Sequence, residues 1–147
     1  MESRAKQADL DAIEAIVDGI ESGWNSGDAQ RFSARFAADG GFTNVLGMVH
    51  YGRESFKERH DVIFKGVYKG SKSSFAIAKL RFIRPDVAIA DVDAEISEFS
   101  ALPPGIRAGA DGVMRSKLQM VLVKEGESWW ITAFHNVGVT PLPDREK

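Results

Sequence analysis

From Leu10 onward the apolar side chains return every third or fourth position, at Leu10, Ile13, Ile16, Val17, Ile20 and Trp24. That period predicts a helix with one buried stripe. Asn25-Ser26-Gly27 ends it, with Gly27 suited to the left-handed position that closes many helices. Asp28 then reads as the N-cap of a short second helix carrying Phe32 and Phe36 on one face and stopping near Asp39-Gly40-Gly41. Two short strands, from Phe42 to Leu46 and from Met48 to Tyr51, are expected about Gly47. Gly52-Arg53-Glu54 opens a third helix, on which Phe56, His60, Ile63, Phe64 and Val67 share a face; it ends near Gly66 or Gly70.

Beyond Ser73 the period changes to two. Ala76, Ala78, Leu80 and Phe82 alternate with polar neighbours, and Arg84-Pro85-Asp86 supplies a turn. Ala88, Ala90, Val92, Ala94 and Ile96 then face one way, with Asp91, Asp93 and Glu95 opposite. Residues 100–112, with Pro103, Pro104 and three glycines, form the longest irregular loop. Two further strands, from Val113 to Lys124 and from Trp129 to Val139, meet at Glu125-Gly126-Glu127. Helices first and a four-stranded antiparallel meander afterwards predict an α+β fold with helices on one sheet face. A long twisted sheet curls, and curling around helices opens a cavity between them.

Composition bounds the rest. The 147 residues suit one domain, with no repeat, low-complexity tract or linker dividing them, a core over about residues 10–139 and flexible tails. Nineteen Lys and Arg against 21 Asp and Glu leave a net charge of −2, with no basic run to bind nucleic acid. The absence of cysteine excludes disulfides, thiolate catalysis and cysteine-based metal sites. The charged N-terminus has no signal-like apolar stretch and no run reaches membrane-spanning length, so a cytoplasmic location is expected.

Three segments in order, Trp24-Asn25-Ser26-Gly27-Asp28, Phe36-Ala37-Ala38-Asp39 and Gly52-Arg53-Glu54, resemble the nuclear-transport-factor-2-like (SnoaL-like) superfamily. Phe42-Thr43-Asn44-Val45, Gly47, the helix with His60 and the closing run from Trp129 to Asn136 look like its SgcJ/EcaC branch. The resemblance runs from about Leu10 to Val139. It implies a cystatin-like cone, three N-terminal helices packed on a curved, mostly antiparallel mixed sheet, and a homodimer packed through sheet faces. Relatives implied are polyketide cyclases, ketosteroid isomerases, dehydratases and plain binding modules. The branch's oxidoreductase label finds no support, because no Gly-x-Gly-x-x-Gly stands between a strand and a helix. Asn44 stands where an isomerase of this superfamily carries its base aspartate, and Ile20 where it carries its oxyanion tyrosine. Neither can do that work.

Two histidines head the candidates for chemistry. His60 lies within the apolar arc of the third helix, and a buried imidazole can act as general acid or base, or simply bond a backbone carbonyl as part of the core. His135 shares parity with Trp129, Ile131 and Ala133, so it too is expected to look into the cone. Trp24, Phe56, Phe64 and Trp129 are candidate pocket walls, or plain core. Asn44, Asn136 and Arg115 are the polar candidates for contact with a ligand. Arg115, Lys117 and Gln119 share one face of their strand, and the alternation leaves open whether that face is concave or looks outward toward Asp91 and Asp93. His50 is expected to be exposed. No cofactor is called for, and no inward carboxylate completes a metal triad with the two histidines.

Three readings follow. The chain is a tailoring enzyme doing cyclase- or lyase-like acid/base chemistry on a polyketide-like or aromatic substrate, a non-catalytic module binding a hydrophobic or aromatic molecule, or a dimeric scaffold without a cavity. The enzyme reading requires both imidazoles on one cavity. Outer-face Trp130, Phe134 and Val87 are the expected dimer contacts.

Overall fold

The computed structural model describes residues 2–140; the rest of the expected C-terminal tail lies outside them. Within them follow α1 (Glu2–Ser26), α2 (Ala29–Phe32), β1 (Phe36–Thr43), β2 (Val49–Tyr51), α3 (Arg53–Lys65), β3 (Lys72–Arg84), β4 (Val87–Ser97), β5 (Met114–Glu125) and β6 (Ser128–Gly138). The sheet order is β2-β1-β6-β5-β4-β3. β3 to β6 form the antiparallel meander, and β1 lies parallel to β6 and antiparallel to β2. The result is the expected α+β arrangement, a curved and unclosed mixed sheet with helices packed against it.

The end of α1 explains why Trp-Asn-Ser-Gly-Asp stands there. Gly27, at φ 66°, lets its own N–H reach the Trp24 carbonyl and the Asp28 N–H reach the Gly23 carbonyl, a Schellman closure. Asp28 then caps α2 by accepting the Arg31 N–H at 3.1 Å. Trp24 donates to Ser71 Oγ at 2.9 Å. Asn25 exchanges hydrogen bonds with the Ser73 backbone, and Glu21 accepts the Phe75 N–H at 2.7 Å. Asn25 and Glu21 thereby occupy backbone groups along β3, the edge strand, which would otherwise be open to another chain.

Four expectations from the sequence are corrected. α2 stops at Phe32, and Phe36 opens β1, opposite Ile131. Either conformation buries Phe36, so apolar spacing could not choose; pairing with β6 does. In β3, Ala78 is an extra residue between Ile77↔Val92 and Lys79↔Asp91. This bulge puts Phe75 and Ile77 on the covered face before it, Leu80 and Phe82 after it, and leaves Ala76 and Ala78 exposed. In β6, Thr132 is extra between Ala133↔Val121 and Ile131↔Leu122. Trp129 and Ile131 therefore face the core, the phase inverts, and Phe134 is buried as well while His135 is exposed. Phe134 is thus lost from the expected dimer face. His50, expected exposed, is half-buried with its ring 6.0 Å from that of Phe42.

The core is aromatic at the helix end. Phe56 stacks on Phe36 at 4.1 Å and 3° between planes, and meets Phe42 edge-on at 5.0 Å. At the other end Trp129 Nε1 donates to Asp9 Oδ1 at 3.0 Å, and Lys124 pairs with the same oxygen at 2.9 Å, tying the β5–β6 hairpin to α1.

Two glycines of α1 should respond oppositely to alanine. A Cβ on Gly19 meets nothing within 4 Å, whereas one on Gly23 would lie 2.6 Å from the Phe32 backbone nitrogen. Gly19→Ala is expected to stabilise the fold by about 0.5–1 kcal/mol through helix propensity. Gly23→Ala is expected to destabilise it by about 1–3 kcal/mol through overpacking. Denaturant melts of the two variants, read against the parent, check both signs.

Candidate functional site

A cavity of about 300 Å³ opens between α3, the C-terminal half of α1 and the concave face of β4, β5 and β6. Its wall is mostly apolar, as ligand sites are. Leu46, Val62 and Gly66 are exposed and mark its mouth, and Pro103 and Ile106 of the β4–β5 loop border it. Arg115 holds that loop from the other side of the sheet, through Asp111 at 2.7 Å and Glu95 at 3.0 Å. The guanidinium keeps the Asp111 carboxyl below the usual carboxylate range.

His60 stands on the cavity wall, 4% exposed, with the rings of Phe32 and Phe56 each 4.4 Å away and that of Phe42 at 5.3 Å. Its Nδ1 lies 2.7 Å from the Phe56 carbonyl one turn back. A carbonyl can only accept, so Nδ1 carries the proton and Nε2 presents a lone pair. Among the described residues the ring's one hydrogen bond is that of Nδ1, which leaves Nε2 without a partner. Burial among the phenyl rings pushes the imidazole down to about 4, against the carbonyl contact, which favours the charged form; the charges of Arg59 and His50 push the same way as burial. At neutral pH this is an uncharged acceptor.

Of the residues singled out in the sequence, the cavity wall brings together Trp24, Asn44, His60 and Asn136. Asn44 is committed to its own turn: its Oδ1 accepts the Leu46 and Met48 N–H groups, both at 2.9 Å. Asn136 reaches the wall because the Thr132 bulge inverts the strand, and its Oδ1 is buried without a partner. Phe56 and Phe64 stand behind the wall as core, Phe64 edge-on to Trp24 at 5.0 Å. Trp129 seals the opposite end through Asp9. Arg115 belongs to the outer stripe, where Lys117 pairs with Asp93 and Gln119 with Asp91. His135 also looks outward, beside Lys117 and Gln119. The two-imidazole arrangement is therefore not formed, and the bulge is the reason.

Three polar wall residues were not among the candidates of the sequence reading: Arg59, Tyr68 and Ser116. Ser116 had a signal, being the polar member of the inward stripe Met114, Ser116, Leu118 and Met120. Its Oγ is buried and unpartnered. Tyr68 donates weakly to Met114 Sδ at 3.7 Å, and burial pushes its phenol up. No Asp or Glu lines the cavity, and among the described residues no three His, Asp or Glu side chains gather to hold a cation. No helix among them is long and apolar enough to cross a membrane.

No protein-family model and no curated protein matches the chain. Solved structures do resemble it. An uncharacterized protein with a cystatin-like fold from Caulobacter vibrioides is 26% identical over 90% of each chain, at TM-score 0.76. A ketosteroid isomerase-like protein from Erwinia carotovora atroseptica is 17% identical over 90% of this chain and 97% of its own, at TM-score 0.70. A type 2 hexachlorocyclohexane dehydrochlorinase is 13% identical over 96% and 93%, at TM-score 0.77. The last two likenesses concern the fold alone.

The imidazole makes stability depend on pH. Between about pH 4 and 6.5 the unfolded chain binds a proton at His60 that the folded chain excludes. Its contribution is thus full above 6.5 and is lost as the pH falls toward 4, by on the order of 3 kcal/mol. Melting temperature should drop across that window in the parent. In His60→Phe the drop should be markedly shallower; an equal drop in both proteins would show that the imidazole is not held neutral.

Proposed function

Taking as premise that the chain is a nuclear-transport-factor-2-like protein of cystatin-like fold, we propose that it is a small-molecule pocket protein. Its ligand is a flat aromatic or otherwise apolar molecule bearing a hydroxyl or N–H. The observation that carries this reading is His60 on the wall of an apolar cavity, with an Nε2 lone pair left without a partner among the described residues. Such an acceptor holds a donor on the ligand at no cost in charge. Trp24 and Phe42 flank the ligand's faces, and Asn136 and Ser116 meet a second polar group. The branch resembling SgcJ/EcaC proteins belongs to this proposal, on the motif residues around Asn44, His60 and Trp130.

A second reading is lyase chemistry with His60 as the sole base, as in an elimination of the kind the dehydrochlorinase's name denotes. Its support is that the lone pair is never blocked by protonation at neutral pH. Against it, a base titrating near 4 is a weak proton acceptor, and no carboxylate on the wall stands by to strengthen it. The isomerase route of this superfamily finds no residues at Asn44 and Ile20. Binding is therefore the better reading. Any turnover would rise with pH through about 4 and stay level to neutrality, with no second ionisation.

Calorimetric titration of the intact chain with 2-naphthol and with naphthalene tests the binding reading. The phenol is expected to bind roughly tenfold tighter, for one hydrogen bond to His60. His60→Phe should erase that advantage and leave naphthalene's affinity near its parent value. If neither compound binds, or if the phenol's advantage survives the substitution, the reading is wrong.

Self-association through the sheet is also proposed, now resting on Val137, 64% exposed on the outer face between the ion pairs, and on the exposed Ile83. Light scattering at micromolar concentration should give twice the monomer mass. A Val137→Lys variant should return it to monomer.

A further inference from the structure

The cavity wall carries a single full charge. It includes no Asp or Glu, His60 is neutral, and Arg59 is its one cation. Arg59 lies on α3 one turn before Val62 and two before Gly66, both exposed at the mouth. It is partly buried, yet among the described residues no carboxylate pairs with it. Its helix neighbour Asp61 is taken by Lys65 at 2.9 Å, and the other ion-paired acids, Asp9, Asp93, Glu95 and Asp111, answer Lys124, Lys117 and Arg115 of β5. Its field reaches two groups on the helical side of the cavity: burial dominates at His60 and at Tyr68, and the guanidinium adds to the effect at the first and opposes it at the second.

The opposite wall offers hydrogen bonds that nothing in the protein uses. Ser116 is 2% exposed, lines the cavity, and its Oγ has no partner. It sits across from Ala94 on β4 and diagonal to Asn136 on β6, whose Oδ1 is likewise unpartnered. A buried hydroxyl left unbonded costs about 1–3 kcal/mol, which a ligand atom placed there would offset. The two ends differ in kind, a charged donor at the mouth and neutral donors and acceptors at the floor.

We propose that the ligand is an organic acid. Its carboxylate, or an equivalent oxyanion, pairs with Arg59 at the mouth, its apolar body fills the cavity, and its far end bears an oxygen or nitrogen bonded by Ser116 and Asn136. This rests on the binding reading above and narrows it. A guanidinium matches a carboxylate in geometry as well as charge. A neutral molecule would instead cover part of Arg59 without replacing the water it displaces. A cation would be repelled at the entrance.

The probes are 6-hydroxy-2-naphthoate and its neutral isostere 6-hydroxy-2-naphthamide, titrated by calorimetry into the intact chain at low salt. The acid is expected to bind roughly tenfold tighter than the amide. That preference should shrink as salt is added, since a mouth charge is screened. Arg59→Gln should abolish the preference and leave the amide within about twofold of its parent affinity, while Arg59→Lys keeps part of the preference. Ser116→Ala should weaken both probes alike, by about threefold to tenfold. Equal affinity for acid and amide in the parent, or a preference unchanged in Arg59→Gln, overturns the acid assignment and leaves the cavity as a binding site. Failure of both probes to bind overturns the assignment together with the reading beneath it.

Discussion

One inserted residue in a central strand governs what this cavity is. β6 runs between β1 and β5, so its side chains are visible to the whole concave face. Without Thr132 the strand would keep one phase, and His135 would join Trp129 and Ile131 inside while Phe134 and Asn136 faced out. With it, the first half of β6 packs the core against α1 and the second half lines the cavity. A bulge is a cheap way to divide one strand between two tasks, because it disturbs a single ladder position and re-aims everything after it. The Ala78 bulge does the same for the edge strand β3, where Phe75 and Ile77 cover one part of the helices and Leu80 and Phe82 another.

The motifs that resemble a known superfamily turn out to be architectural. Trp24, Asn25, Gly27 and Asp28 close one helix, start the next and fasten β3. Gly52, at φ 98°, donates its N–H to the Gly40 carbonyl, and Arg53 bonds the Phe36 carbonyl while facing the Trp130 ring. Residues that hold a cone together are shared by proteins whose chemistries differ. The cavity wall holds a neutral imidazole, a lone guanidinium, two orphaned polar groups and no acid.

That inventory sets what the cavity can do. An imidazole ringed by phenyl groups and kept from ionising is a good acceptor and a poor base, since the burial that holds it neutral also lowers its affinity for a proton. Histidine chemistry in such a site ordinarily leans on a carboxylate to raise that affinity. Here no acid lines the cavity: Asp61, next along α3, pairs with Lys65, and Asp91, Asp93 and Glu95 are spent on Gln119, Lys117 and Arg115 along the convex face. Arg115 still serves the cavity at a distance, because the loop it holds carries Pro103 and Ile106 to the mouth.

Local chemistry in the sequence determined much of this protein. The 3-4 rhythm of α1, the glycine and aspartate that turn it into α2, the strict alternation of β4, and the inward-facing His60 on α3 all follow from side chains acting within a few residues of each other. The outward stripe of Arg115, Lys117 and Gln119 was open in the alternation, and its acidic partners on β4 decide it. Tertiary structure alone settled whether Phe36 is helix or strand, because both conformations bury it. It also placed the two bulges, since alternation has no memory of an inserted residue and a strand's phase is defined only by its partners. His135 and Asn136 exchanged places for that reason, and with them went the two-histidine site. What remains is one imidazole and a charge beside it on α3, faced by Ser116 and Asn136 on strands whose facing no single segment could specify.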